Sequence, residues 1–217
     1  MSGETPTPEA TDVVVIGMGP GGEHLATELA RAGLAVAGIE GRLVGGECPY
    51  YACVPTKMMV RAATTLAESR RVNTLAGSAQ VQSDWAPVAR RIRAEATDNW
   101  DDRVAVERFE QAGGTFVRGW ARITAPGQVR VDTPAGPIDI RAQRAIVLNP
   151  GTVPAVPDIT GLADTPYWTN RDAVTVTEVP DSLIVLGGGP VGVEFAQVFA
   201  RFGSEVTVIA RHDLLPR

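Results

Sequence analysis

Residues 13–40 read VVVIGMGPGGEHLATELARAGLAVAGIE, and residues 183–210 read LIVLGGGPVGVEFAQVFARFGSEVTVIA; the two align without a gap at an offset of 170, with 11 of 28 positions identical. Each passes from a β-branched apolar run through G-x-G-x-x-G into a helical pattern and out into a second β-branched run, the order of a βαβ unit. The fingerprints are Gly17, Gly19 and Gly22, and Gly187, Gly189 and Gly192. In such a turn the first glycine bends the strand sharply, the second lets a pyrophosphate approach the backbone, and the third lets helix and strand pack closely. The phosphates then meet free N–H groups at the positive end of the helix. One such motif is weak evidence, but two copies, each between a strand and a helix, predict an α/β protein with two Rossmann-like dinucleotide-binding units.

The copies differ where nucleotide specificity is set. In the first, Glu40 ends the second strand, 23 residues after Gly17. A carboxylate there accepts hydrogen bonds from both hydroxyls of an adenosine ribose, which suits FAD or NAD. The matching position in the second copy is Ala210, followed by Arg211 and His212. A neutral residue followed by cationic and hydrogen-bonding groups suits a 2′-phosphate, so NADPH is expected ahead of NADH; the alternative is that Arg211 and His212 are exposed turn residues.

Cys48-Pro-Tyr-Tyr-Ala-Cys53 precedes a long helical pattern with Pro55 in its first turn. A Cys53 thiolate at that helix start is stabilised by the helix dipole and by a cation such as Lys57, and is reactive. The spacing allows a disulfide within one loop; two inert thiols or half of a zinc site are the other readings. Zinc needs two more ligands, and the only histidines, His24 and His212, sit in nucleotide-binding patterns.

The chain has 217 residues, a formal charge of −5, 44% hydrophobic and 21% charged residues, with 23 Gly and 16 Pro. That composition is globular, rich in tight turns, and long enough for a sizeable core. The acidic balance argues against nucleic-acid binding, and Arg90, Arg91 and Arg93 read as the solvated face of a helix. No apolar run reaches the roughly 18 to 20 residues that cross a bilayer. Met1 to Thr11 is polar, without the apolar segment of a secretion signal, so a cytoplasmic, reducing setting is expected.

Together these residues resemble the flavin-dependent pyridine nucleotide-disulfide oxidoreductases, which include glutathione reductase, dihydrolipoamide dehydrogenase and mercuric reductase. The resemblance rests on the fingerprint closing on Glu40, the GG-x-C-x4-C-x-P-[ST]-K segment from Gly45 to Lys57, the strand ending near Gly151, and the fingerprint from Gly187 to Glu194. It implies that FAD contacts Gly46, Glu47 and Gly151, with adenine against the backbone of Gly119-Trp120-Ala121. It further implies that Cys48 attacks substrate, Cys53 faces the flavin, and Lys57 pairs with Glu194. Pro49, Tyr50, Tyr51 and Ala52 depart from the family's small and polar residues, as do Glu47 from a Thr, Asn149-Pro150-Gly151-Thr152 from Ala-Thr-Gly-Ser, and Pro190 from a Tyr.

The division expected from the resemblance is an FAD-binding domain with the cysteine loop at 1–155 and the first half of an NAD(P)H-binding domain at 156–217, with the second unit expected to be incomplete and the family's C-terminal dimerisation domain expected to be absent. Between the motifs, the apolar spacing from Trp85 predicts one long helix reaching Gly113-Gly114. Five short strands follow, at 115–117, 121–124, 129–131, 138–140 and 145–148, forming a β-meander, with a linker at 153–181. The expected activity is electron passage from NADPH through FAD to Cys48/Cys53 and on to a small-molecule acceptor, in a full-length form that is a homodimer. The alternatives are a non-catalytic nucleotide-binding fragment and a flavoprotein with spectator cysteines.

Overall fold

The computed structural model describes residues 9–215, and most of the polar start read above lies outside them. The chain separates into two compact units, Met1–Cys48 with Trp100–Val153, and Pro49–Asn99 with Pro154–Arg217.

In the first unit, β1 (Ala10–Ile16), α1 (Pro20–Arg31) and β2 (Val36–Glu40) form the expected βαβ element. β2 pairs in parallel with β1, in the register Val13 with Val36 through Ile16 with Ile39. β3 (Thr115–Arg118) extends the parallel sheet beside β2. β4 (Trp120–Ala125), β5 (Gln128–Thr133) and β6 (Gly136–Leu148) form an antiparallel meander. The sheet order is β3-β2-β1-β6-β5-β4. The strands expected at 138–140 and 145–148 are one strand. No Gly or Pro interrupts 138–148, and its two halves serve different neighbours, β5 antiparallel and β1 parallel.

Side chains alternate across β1. Val13 and Val15 pack with Ala26 and Ala30 of α1 and with Phe109. Val14 packs on the other face with Val129, Val131 and Ile140 of the meander. The central strands are therefore covered on both sides, which is why they read as continuous apolar runs rather than alternating ones.

The long helix expected from Trp85 is broken. α4 (Ala86–Arg91) passes into a wide turn at Ile92–Ala96 and a tight one at Asp98–Trp100, before α5 (Arg103–Gln111) begins. Thr97 causes the first change: its hydroxyl donates to the carbonyls of Ile92 and Arg93, both at 3.1 Å, while its N–H reaches Ile92 O. Asp98, Asn99 and Trp100 then take φ of 46°, 57° and 59°, a conformation that Asp and Asn tolerate better than most residues. The Arg103 N–H restarts the helix by donating to Asp101 Oδ1 at 2.8 Å.

In the second unit, α3 (Cys53–Leu75) packs against α7 (Pro190–Phe202). Arg70 donates to Arg201 O at 2.9 Å, and Arg201 to Thr64 Oγ1 at 3.2 Å. Trp85 sits between Phe199 and Phe202, with ring centroids 5.6 and 4.9 Å away, and donates its indole N–H to Val176 O. β7 (Ser182–Leu186) and β8 (Glu205–Ile209) pair in parallel, completing the second βαβ element. The stretch expected as a linker also contributes structure. It holds α6 (Asn170–Ala173), and Val174 within it is buried.

Candidate functional site

The two glycine loops separate positions that the fold itself requires from positions that it leaves open. Gly17 has φ +93°, and a Cβ there would lie 2.0 Å from Asn149 O; a Cβ at Gly22 would lie 2.0 Å from Gly17 O. Strand, helix and loop close on these two glycines. Gly19 differs, with an ordinary φ of −66° and no atom nearer to its Cβ position than Asn149 Nδ2 at 3.4 Å. It is the N-cap of α1 and gives no side-chain cap. The second loop repeats this: a Cβ at Gly192 would lie 2.5 Å from Gly187 O, whereas Gly189, φ −76°, meets nothing within 4 Å and leaves α7 without a side-chain cap. A methyl-sized space at an uncapped helix start is what a pyrophosphate uses, so both loops fit a dinucleotide.

Around the first loop, Glu40 closes β2 with its carboxylate turned back to the fingerprint. Oε2 accepts from Met18 N–H at 2.9 Å, and Oε1 from Arg42 N–H at 2.8 Å. Gly46 adjoins Gly19; a Cβ on it would lie 2.8 Å from Gly19 Cα. Ala121 pairs with Val131 in the meander, beside Trp120, whose indole lies 2.6 Å from the Cβ position of Gly41. Gly151 follows β6 with φ +70°, and Glu47 is the half-buried first residue of α2 (Glu47–Tyr50).

Asn149 was noted in the sequence only as a departure. Its Nδ2 donates to Gly17 O at 3.2 Å, and its Oδ1 lies 3.3 Å from the Cβ position of Gly21, so its amide lies across the loop. Asp102 was missed altogether. Buried, it accepts from Val44 N–H and from Arg118 Nη2, both at 2.6 Å, and ties the 41–44 turn to β3. Neither role carries a local sequence signal, since each partner is more than 15 residues away.

Cys48 is the half-buried second residue of α2, and Cys53 the exposed first residue of α3. Ala52 gives α3 no side-chain cap, so the N–H groups of its first turn are not claimed by one. Lys57, one turn further on, and Glu194 on α7 are both exposed. The expected Lys57–Glu194 pair is not among the ion pairs of the described residues. Arg211 and His212, after β8, are exposed, and Leu215 N–H donates to Gly188 O at 2.7 Å, folding the following segment onto the second loop. Among the described residues no group of three or more His, Cys, Asp or Glu is placed to hold a metal ion, and no helix is long and apolar enough to cross a membrane.

Two βαβ elements with these glycine turns, and a β-meander closing the first, define the class: a protein with two Rossmann-like units of the FAD/NAD(P)-binding kind. The chain belongs to the pyridine nucleotide-disulphide oxidoreductase family, whose match covers residues 11–217. It is 32% identical to a mercuric reductase of Shewanella putrefaciens over 98% of this chain and 39% of that protein. It is 34% identical to a dihydrolipoyl dehydrogenase of Chlorobaculum tepidum, over 95% of this chain and 43% of that one. The solved copper(II) complex of the HOCl-induced flavoprotein disulfide reductase RclA from Escherichia coli superimposes with a TM-score of 0.79 at 30% identity, covering 92% of this chain and 42% of that chain. The chain thus spans about two fifths of the length of these relatives.

Proposed function

We propose that this chain carries the nucleotide-binding and redox-cysteine part of an oxidoreductase that takes electrons from NADPH through FAD to a Cys48/Cys53 disulfide, and from there to a small disulfide or another small acceptor. The observation that carries the reading is the second glycine of each fingerprint, Gly19 and Gly189, which no protein contact requires, with the cysteine pair between them in sequence.

On this reading, residues 1–155 bind FAD and 156–217 begin the NADPH site. Gly17, Gly19 and Gly22 would seat the FAD pyrophosphate at the start of α1, and Glu40 would take the ribose hydroxyls with the lone pairs that Met18 and Arg42 leave. Gly46, Glu47, Ala121 and Gly151 would line the remainder. When bound, the flavin supplies two-electron transfer between a nicotinamide and a dithiol. Gly187, Gly189 and Gly192 would seat the NADPH pyrophosphate, with Arg211 and His212 on the 2′-phosphate. Cys53, at the start of α3, is the thiol that faces the flavin. Cys48, on the neighbouring short helix, is the thiol offered to the acceptor, and Lys57 and Glu194 supply opposite charges beside the transfer. A cytoplasmic setting and a homodimeric full-length enzyme complete the proposal.

Cys53→Ser tests it. Disulfide-dependent NADPH oxidation by the FAD-loaded chain should vanish, while FAD binding stays within about twofold of the parent. Unchanged turnover would make the cysteines spectators. Bound FAD with no NADPH oxidation in the parent would make the chain a nucleotide-binding part only.

A further inference from the structure

Asn149 follows β6 where the order of the first sheet turns: β1 leads through α1 to β2 on one side and has β6 beside it on the other. Beyond the carboxyl ends of parallel strands, such a point is where ligands bind. The backbone pins the residue there. Its N–H donates to the carbonyl of Ile16, the last residue of β1, at 2.8 Å, and Pro150 behind it restricts it to extended geometry. From that anchor the side chain crosses the first fingerprint loop. Nδ2 donates to Gly17 O at 3.2 Å, which fixes the orientation of the amide, because Oδ1 in the same place would set two acceptors against each other. Nδ2 lies 3.4 Å from the Cβ position of Gly19 and 2.9 Å from that of Gly22, and Oδ1 lies 3.3 Å from that of Gly21. The amide therefore borders the space at Gly19 that no protein contact requires. An amide nitrogen carries two hydrogens, and Gly17 O takes one of them. Among the described residues Asn149 makes no other side-chain hydrogen bond.

We infer that Asn149 is a further dinucleotide-binding residue: one Nδ2 hydrogen holds Gly17 O, and the other is donated to a pyrophosphate oxygen at Gly19. The inference rests on the reading of residues 1–155 as an FAD site. Residues 17–22 read GMGPGG, with no Lys or Arg, so from within the loop a phosphate meets hydrogen-bond donors and no cation. Pro20 has no N–H to give, and α1 starts without a side-chain cap. A side-chain amide at the loop adds a donor to that short supply. Its two hydrogens do not compete, since the bond to Gly17 O is made in the same geometry that keeps the Gly19 space open. The sign of each substitution follows. Alanine removes the donor. Aspartate removes it as well and sets a negative charge beside the phosphates, a repulsion that salt screens.

The test measures FAD and ADP binding to the 217-residue chain by titration calorimetry, for the parent, Asn149→Ala, Asn149→Asp and Asn149→Ser, each well below its own unfolding midpoint. Expected for Asn149→Ala is FAD binding weaker by about tenfold or more, the strength of one hydrogen bond to a charged group. ADP, which keeps the pyrophosphate and lacks the flavin, should lose the same factor. Asn149→Asp should bind both roughly tenfold more weakly again, and raising salt from about 0.05 to about 0.5 M should narrow its gap to Asn149→Ala. Dissociation constants of Asn149→Ala within about twofold of the parent overturn the inference, as does a loss for FAD with ADP unchanged, or an Asn149→Asp chain that binds as well as Asn149→Ala. A lowered unfolding midpoint with unchanged dissociation constants also overturns it, and marks Asn149 as a prop for Gly17 alone. If Asn149→Ala does not fold, Asn149→Ser decides: its single hydroxyl hydrogen cannot serve Gly17 O and a phosphate together, so FAD and ADP binding about tenfold weaker is expected and parent-like binding refutes. A parent that binds neither FAD nor ADP defeats the FAD-site reading itself, and the role of Asn149 with it.

Discussion

Alanine placed at Gly17, Gly19 and Gly22 in turn should separate a glycine kept for the fold from one kept for a ligand. At Gly17 an added Cβ meets Asn149 O at 2.0 Å on a backbone with φ +93°. The left-handed strain alone costs about 1–3 kcal/mol, and relieving the overlap adds to it. At Gly22 the Cβ meets the backbone oxygen of Gly17 at 2.0 Å and Asn149 Nδ2 at 2.9 Å, and moving the Asn149 side chain leaves the backbone overlap in place. Each of these variants should lose about 3 kcal/mol or more, roughly 6–12 °C in the unfolding midpoint of a chain this size. Gly19→Ala has a permitted φ and its nearest neighbour is 3.4 Å away. The entropy it removes from the unfolded chain is worth about 0.4–1 kcal/mol, and the poorer N-cap costs a similar amount, so its midpoint should stay within about 4 °C of the parent. Its methyl nevertheless fills the approach to the Gly21 and Gly22 N–H groups. Losing two charge-assisted hydrogen bonds at about 1.5 kcal/mol or more each weakens FAD binding by about a hundredfold or more. Thermal unfolding of the apo chain and quenching of flavin fluorescence on titration read the two effects separately. A Gly19→Ala chain that unfolds as early as Gly17→Ala, or that binds FAD like the parent, refutes the reasoning.

Other outcomes follow from single contacts. Asp102→Ala strands the Arg118 guanidinium, whose Nη1 already has no partner, and frees the Val44 N–H; a loss of about 3–5 kcal/mol in chemical denaturation is expected, against a much smaller one for the exposed Arg103→Ala. Brief iodoacetamide treatment of the reduced chain should label exposed Cys53 before half-buried Cys48 in peptide mass spectrometry, and the reverse order would contradict their placement at the starts of α3 and α2. Arg211→Ala should weaken NADPH binding by about tenfold or more and leave NADH within about twofold, because only the 2′-phosphate distinguishes the two; equal losses would make Arg211 a turn residue.

The elements legible in the sequence are those whose cause is local. Gly17 and Gly22 announce the first turn because nothing larger fits, and the apolar runs at 13–16 and 36–39 announce strands covered on both faces. Cys53 falls at the start of α3 as its distance from Pro55 implies. What the sequence did not disclose depends on partners far along the chain. The break after Ile92 turns on the Thr97 hydroxyl and on left-handed residues at 98–100, positions where an apolar period still looks helical. β6 runs unbroken because two different neighbours hold its halves. Asp102 and Asn149 reach across 16 to 132 residues to their partners, and no spacing rule covers such a distance. The helix of Cys53 and the segment carrying α6 share a compact unit for the same reason, through the Asn170–Tyr51 and Trp85–Val176 hydrogen bonds.

The most direct test of the proposed function is an anaerobic titration of the FAD-loaded chain with NADPH, followed in the visible spectrum. If Cys48 and Cys53 form a redox pair coupled to the flavin, the protein takes up two electrons for the disulfide beyond the two for the flavin, and a long-wavelength band appears before the flavin bleaches. Cys53→Ser should lose both features. Uptake of two electrons only, with the flavin bleaching from the first addition and Cys53→Ser behaving like the parent, would contradict the central claim.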